Sequence, residues 1–192
     1  MKMNNLIKGM LLLCSLLLTA CAGQPDNARP QAWLKPGVKV TLPAPAIAPA
    51  VNEQQLLTGS YKGRQQSLLV LLNADDHQLS LAGLSSLGIR LFRITYDAQG
   101  VHTEQSIALP DMPPASQVLA DIMLSHWPLS VWRPQLPDGW TLDDRDDRRL
   151  LRDADGALIS EIHYMNRNGQ RVPISVRQLA FGYQIVIQYL DS

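Results

Sequence analysis

Histidines, serines and clustered acids are the residues of this 192-residue chain whose side chains could support catalysis or metal binding. No serine lies in a G-x-S-x-G elbow, and no P-loop or G-x-G-x-x-G sequence is present. The histidines show no HExxH or other close metal-ligand spacing. The sequence therefore predicts no metal site, no cofactor and no enzymatic activity. The remaining enzymatic alternative is a lipid-ester hydrolase in which Ser, His and acid converge without a local motif. The four histidines are His77, His102, His126 and His163.

Two acidic segments invite comparison with calcium loops. In residues 143–149 (DDRDDRR) arginines neutralise the acids and the EF-hand glycine spacing is missing, which predicts a solvated strand or loop. Asp153-Ala154-Asp155-Gly156 holds a fragment of a calcium loop, but a hairpin turn explains each of its residues. Lys+Arg and Asp+Glu both number 17, so no basic excess indicates a nucleic-acid partner.

Cys21 is predicted to be lipidated. Residues 1–20 combine a basic start with a short apolar run, which is typical of a secretory signal, and Leu18-Thr19-Ala20-Cys21 resembles the bacterial lipobox. The resemblance implies a diacylglycerol on the Cys21 thiol. The alternative is an ordinary signal cleaved after Ala20. In lipoproteins of this type, an aspartate after the lipidated cysteine tends to retain the protein in the inner membrane. Here that residue is Ala22, so the resemblance implies anchoring at the periplasmic face of the outer membrane.

Residues 21–52 are predicted to be a Pro/Ala-rich tether, because six of the thirteen prolines fall within residues 22–52. From residue 53 to residue 192 the pattern changes to short strands with turn signals every eight to twelve residues, as in an antiparallel β domain. Hairpin turns are predicted at Asp97-Ala98-Gln99-Gly100, Asp153-Ala154-Asp155-Gly156 and Asn166-Arg167-Asn168-Gly169. Ser116 is predicted to cap a helix that ends before Pro128.

The run Leu68-Leu69-Val70-Leu71-Leu72 is apolar on both faces of a strand, so it needs cover on both sides or an apolar cavity on one. Leu87 raises a separate question, because an apolar residue is placed at the Ser-Ser-Leu-Gly corner between two predicted strands. It either folds back into the core or projects into solvent.

Several segments resemble LolB, the outer-membrane receptor for lipoproteins in the LolA/LolB superfamily. "LAGLSSLGIRLFRITYDAQG" is similar to its strand, N/G-P-L-G corner and strand, and "WPLSVWRPQLPDGW" to the segment that opens its short helix. "RLLRDADGALISEIHYMNRNG" is similar to the following hairpin. In length, lipobox and the "LFRITYD…LPDGW…LLRDADG" pattern the chain more closely resembles a family of short proteobacterial lipoproteins with a domain of unknown function. Some of those relatives are associated with aryl polyene lipid biosynthesis clusters.

The resemblance implies a mainly β fold, an incomplete antiparallel β-barrel around an apolar cavity with central helices as its lid. It implies that Leu87 projects from the domain and inserts into the membrane. One departure is that LolB begins its domain with an amphipathic helix, which the proline-rich residues 41–52 cannot form. The residues predicted to line the cavity are Leu69, Leu71, Leu81, Leu91, Ile122, Met123, Trp127 and Ile187.

Two functions follow as hypotheses. The first is an outer-membrane-anchored carrier that binds acyl chains and accepts or inserts a lipid or lipoprotein cargo, of which an aryl polyene-type lipid is one candidate. It would receive that cargo from a periplasmic donor like LolA. The second is a non-catalytic structural or interaction lipoprotein of an envelope complex, whose interior is filled by its own side chains. A ligand cavity would favour the first hypothesis.

Overall fold

Alternating apolar and polar residues, separated by Asx-Gly turns, make this chain mainly β-structure. The computed structural model describes residues 29–106 and 113–190. The strands are β1 (Gln31–Lys35), β2 (Val38–Thr41), β3 (Val51–Tyr61), β4 (Arg64–Ala74), β5 (Leu79–Leu84), β6 (Arg90–Asp97), β7 (Gly100–Gln105), β8 (Thr141–Arg145), β9 (Arg148–Arg152), β10 (Leu158–Arg167), β11 (Gln170–Gln178) and β12 (Tyr183–Tyr189). The helices are α1 (Ala115–His126), α2 (Leu129–Trp132) and a 3-10 turn (Arg133–Gln135).

Ten of the strands form one antiparallel sheet in the order β7-β6-β5-β4-β3-β12-β11-β10-β9-β8, and β1 pairs with β2 separately. The predicted mainly β fold is therefore confirmed. Strands β7 and β8 are the two edges, and within the described residues they do not pair with each other, so no closed barrel is found. Among the described residues, no helix has the length and apolar character needed to cross a membrane.

The three predicted hairpin turns are confirmed, and their Asx residues hold them. The Asp97 side chain accepts the Gln99 amide at 2.8 Å, and the Asp153 side chain accepts the Ala157 amide at 2.9 Å. In the third turn the Asn166 side chain accepts the Gly169 amide at 2.9 Å, with Gly169 at φ 82°. Local turn chemistry therefore fixes these strand pairs.

One buried cluster joins the two halves of the sheet to α1 and to the β1–β2 hairpin. From α1 it contains Leu119, Met123 and Leu124, each almost fully buried. The helix begins after Pro114, which occupies the N-cap position without a side-chain hydrogen bond. The prediction that Ser116 caps the helix was therefore wrong, because a proline fixes the extended backbone needed just before the first turn.

The predicted tether differs from the structure over residues 31–42. There β1 and β2 form a hairpin, and Leu34 and Leu42 are fully buried in the core. The prolines are compatible with strands because Pro30 precedes β1, Pro36 lies in the turn and Pro43 follows β2, so they flank ladder positions and do not interrupt them. The predicted signal and Cys21 lie outside the described residues.

Candidate functional site

A cavity of about 560 Å³ lies between α1 and the face of the sheet formed by β3–β6, β11 and β12. Its volume falls within the ~300–1,000 Å³ typical of small-molecule sites. Most of the surface that lines it is apolar. The apolar lining side chains are Trp33, Leu57, Leu68, Val70, Leu72, Leu81, Phe92, Pro113, Pro114, Val118, Ile122, Val176, Phe181, Ile185 and Ile187.

The cavity opens toward the turn between β3 and β4. Lining residues of β4 are exposed near that turn at Arg64 and Gln66, half-buried at Leu68 and buried farther along the strand at Val70 and Leu72. The side chains of a strand alternate between faces, so these even-numbered residues share one face. An apolar chain that entered at the turn end would meet progressively more buried surface.

The structure places three of the predicted lining residues, Leu81, Ile122 and Ile187, on the cavity. Leu69 and Leu71 instead alternate to the opposite face of β4, where both are half-buried. The doubly apolar run is thus explained by a cavity on one face and partial cover on the other.

The other three predicted lining residues do not contact the cavity. Leu91 precedes Phe92, and the pleat of β6 directs Phe92 to the lining. Met123 and Trp127 are in the core, where the Trp127 indole N–H donates to the Ala44 carbonyl at 3.1 Å. Met123 lies on a buried face of α1 other than the one that lines the cavity, and Trp127 follows the end of that helix.

The Phe92 ring packs in the space that a side chain at Gly83 would occupy. Gly83 pairs with Phe92 across β5 and β6. A Cβ at Gly83 would lie 2.2 Å from the Phe92 ring and 2.9 Å from a Leu68 methyl. The ring of Phe92 therefore lies against the bare backbone of Gly83, where any larger residue would force the ring to move.

A polar row runs along the cavity face of α1. It consists of Gln117, Asp121 and Ser125, which are spaced four residues apart and therefore lie on one helix face. All three are buried. The Ser125 hydroxyl donates to the Asp121 carbonyl at 2.7 Å, so that hydroxyl is satisfied within the helix. The row is flanked by the apolar lining residues Val118 and Ile122.

Asp121 is a buried carboxyl held by two donors. Gln178 Nε2 donates to its Oδ1 at 2.8 Å, and the Tyr183 hydroxyl donates to its Oδ2. Burial raises the pKa of Asp121 to about 6 against the two hydrogen bonds, which lower it. Burial and the nearby Asp121 raise the pKa of Tyr183, which stays protonated.

Gln117 differs from its neighbours because its Nε2 is buried without a hydrogen-bond partner among the described residues. An unsatisfied buried donor costs about 1–3 kcal/mol. Its amide lies close enough to Tyr183 to oppose the rise in that pKa, but the two side chains form no hydrogen bond of ordinary geometry. Sequence analysis missed this row, although polar residues every four positions on an otherwise apolar helix were a readable signal.

The Asp121→Asn variant should gain stability over the native chain as pH rises. In the native chain Asp121 ionises near pH 4 when unfolded and near pH 6 when folded. The folded state therefore binds more protons between these values, and stability falls by up to about 3 kcal/mol as pH rises through that window. An asparagine side chain does not titrate, so the difference in unfolding free energy should shift in favour of the variant between pH 4 and pH 7. Urea unfolding at several pH values measures it.

His126 also titrates in this pH range and changes the stability in the opposite direction. Burial lowers the pKa of His126 to about 4, so its contribution to stability is lost as pH falls from about 6.5 to 4, the opposite trend. His126 is present in both proteins and cancels in their difference. Asp138→Asn, at an exposed aspartate, controls for removal of one carboxyl. A pH-independent difference between Asp121→Asn and the native chain would contradict the prediction.

Arg149 holds the end of α1 in place. Its Nη1 donates to the carbonyls of Leu124 at 2.7 Å and Trp127 at 2.8 Å, and its Nε and Nη2 bind the two Asp144 oxygens, each at 2.8 Å. Leu124 belongs to the last turn of α1, whose carbonyls have no partner within the helix. The segment predicted to be a solvated strand or loop thus contains a buried arginine that positions one wall of the cavity.

Leu87 lies at the tip of the corner between β5 and β6 and is 84% exposed; Ile89 beside it is 57% exposed. The Ser85 hydroxyl organises the corner by accepting the amides of Leu87 at 3.3 Å and Ile89 at 3.2 Å. Leu69 of β4 pairs with Leu84, immediately before the corner. Leu69 is the middle residue of β4, so the corner extends from β5 in the direction of the β3–β4 turn, toward which the cavity opens.

Among the described residues, no group of three or more His, Cys, Asp or Glu side chains could hold a metal ion. The model of a family described as "Protein of unknown function (DUF3261)" matches residues 52–191. No curated protein matches the chain. The matched residues include every strand from β4 to β12 and both helices, and so nearly all of the cavity.

Proposed function

The chain belongs to the DUF3261 family, whose function is unknown, and we propose that this protein is a membrane-anchored carrier that binds an acyl chain in the cavity under α1. It accepts or inserts a lipid or lipoprotein cargo at the outer membrane. The cavity is the observation that carries the proposal. Carriage is binding, and no bond of the cargo is broken.

Burial of the acyl chain supplies the energy for binding. Each methylene removed from water contributes about 0.8 kcal/mol, so a long chain needs apolar cover to cross an aqueous compartment. The buried end of the cavity offers that cover through Val70, Leu72 and Leu81, each at most 2% exposed. A structural lipoprotein with a filled interior, the alternative hypothesis, would not need this unoccupied volume.

The exposed corner supports release into a bilayer. Leu87 and Ile89 project from a corner that extends from β5 toward the end of the sheet where the cavity opens, so contact with a membrane through this corner would bring that end toward the lipid. Arg90, the next residue, is exposed and pairs with Glu104 at 3.0 Å.

Anchoring and partners complete the proposal. The sequence "LTAC" supports lipidation of Cys21 and residence at the periplasmic face of the outer membrane. The open ten-stranded sheet with α1 over one face is compatible with an incomplete barrel of the LolA/LolB kind. On that basis the donor is a periplasmic LolA-like carrier, and an aryl polyene-type lipid is one candidate cargo.

Native mass spectrometry with lipid extraction tests the proposal on the chain from residue 22, purified from periplasm without detergent. This chain retains the whole buried cluster of the described residues, which extends from Ala32 to Val176. The expected result is a bound species of acyl-lipid mass, which a neutral apolar fluorophore displaces. A folded protein that carries no lipid and ignores the fluorophore would overturn the carrier and favour the structural lipoprotein.

Leu87→Glu should slow transfer of bound lipid to vesicles about tenfold or more without changing stability or lipid affinity. Insertion of a leucine into lipid contributes about 1.5–3 kcal/mol, which a glutamate forfeits. Transfer of a fluorescent acyl probe to anionic vesicles measures the rate. Met165→Glu is the matched control, because Met165 is 46% exposed on β10 at the opposite end of the sheet from the mouth. Equal transfer rates for both variants would contradict a role for the corner.

A further inference from the structure

Gln117 places a buried hydrogen-bond donor on the wall of a mostly apolar cavity. It is 7% exposed and lines the cavity, and its Nε2 makes no hydrogen bond of ordinary geometry within residues 29–106 and 113–190, although the Tyr183 hydroxyl lies near it. Asp121, one turn farther along α1, is satisfied by Gln178 and Tyr183. The amide N–H of Gln117 is therefore a donor available to whatever occupies the cavity.

The position of this donor suits the polar end of a lipid. Tyr183, which bonds to Asp121, pairs with Tyr61 at the turn end of β3, so this part of the polar row lies toward the mouth. Val70 and Leu72 lie at the buried end. A ligand with its chain at the buried end would place the first oxygen after the chain near Gln117.

The charges that line the cavity select against an anion. Asp121 is a buried acid in the polar row, and His126, whose side chain is 10% exposed, is neutral because burial lowers its pKa to about 4. Among the described residues that line the cavity, Arg64 is the one lysine or arginine; it is exposed at the mouth and already has an interaction of its own. A fatty-acid carboxylate would lie beside Asp121 without a buried cation, whereas an uncharged carbonyl would accept the Gln117 N–H without that repulsion.

We propose that Gln117 donates a hydrogen bond to the carbonyl oxygen of a neutral acyl ester or amide, so that the cavity prefers esterified or amidated acyl chains to free fatty acids. This inference rests on the proposed function and specifies its ligand class. It assigns Gln117 as a specificity-determining residue, with Asp121 excluding the carboxylate.

Displacement of a neutral apolar fluorophore at pH 8 tests the inference with three ligands of matched chain length: methyl palmitate, palmitate and hexadecane. The chain from residue 22 should bind methyl palmitate about tenfold more tightly than palmitate, equivalent to about 1.4 kcal/mol. Gln117→Met keeps the side-chain length and removes the donor. It should weaken methyl palmitate binding about fivefold to tenfold and leave hexadecane within twofold.

Gln188→Leu is the control for loss of an amide outside the cavity, because Gln188 is exposed on β12. It should change none of the three affinities. Gln117→Leu repeats the test should the methionine variant fail to fold. If hexadecane binds but Gln117→Met and Gln117→Leu leave methyl palmitate binding unchanged, this inference falls and the carrier stands. If none of the three ligands displaces the fluorophore, the carrier falls as well.

Discussion

Arg149→Met is expected to lower the unfolding free energy by about 2–6 kcal/mol, because two buried carbonyls would lose their donor at a cost of about 1–3 kcal/mol each. The side chain is 5% exposed and satisfies two carbonyls at the end of α1 together with both oxygens of Asp144. Methionine fills a similar volume but donates no hydrogen bond, so Leu124 and Trp127 would keep buried carbonyls without this partner. Chemical denaturation measures the loss.

Two further variants test whether the buried hydrogen bonds of Arg149 cause the loss of stability. Arg149→Lys keeps the charge but not the planar fork that serves Asp144 and the carbonyls together, so an intermediate loss is expected. Arg148→Met removes a half-buried arginine that pairs with the exposed Asp147 at 3.0 Å and with Glu161 at 3.5 Å but binds no buried carbonyl, so a much smaller loss is expected. Equal losses at positions 148 and 149 would show that the buried contacts of Arg149 are not the cause.

Ile122→Glu is expected to weaken binding of an acyl probe more than tenfold while the domain stays folded. Ile122 lies on the cavity face of α1 and is half-buried, so a glutamate there can reach solvent in the empty protein. An acyl chain in the cavity would strip water from that carboxylate, and an unpaired charge in apolar surroundings is strongly disfavoured. The loss is therefore expected in affinity and much less in stability.

The matched control is Val131→Glu, which adds the same charge on α2 at a residue that is 38% exposed and does not line the cavity. Fluorophore titration measures affinity, and thermal unfolding shows that each variant is folded. A folded Ile122→Glu protein that binds the probe as tightly as Val131→Glu would place the acyl chain somewhere other than under α1.

Local chemistry explains which parts of the fold could be predicted. The hairpin turns at Asp97, Asp153 and Asn166 depend on Asx side chains that bond backbone amides two to four residues away. The helix before Pro128 and most of the paired strands follow from apolar periodicity in the same way. The β1–β2 hairpin was missed because proline content outweighed the alternation of Ala32 and Leu34 with polar residues.

Which residues line the cavity depended more on tertiary structure than the strands and turns did. Sequence placed Leu81, Ile122 and Ile187 on the cavity but could not choose between the two apolar faces of β4, because that choice depends on which neighbours cover each face. It also could not show that Gly83 makes room for Phe92 across two strands.

From the residues alone one could predict the mainly β fold, the turns and an apolar run that needs cover, because each depends on residues close together along the chain. Tertiary structure alone decided that Gln117 faces the cavity without a partner among the described residues, that Asp121 is held by Gln178 and Tyr183, and that Arg149 secures α1. Those features join residues 22 to 62 positions apart, and only the packing of helix against sheet brings them together.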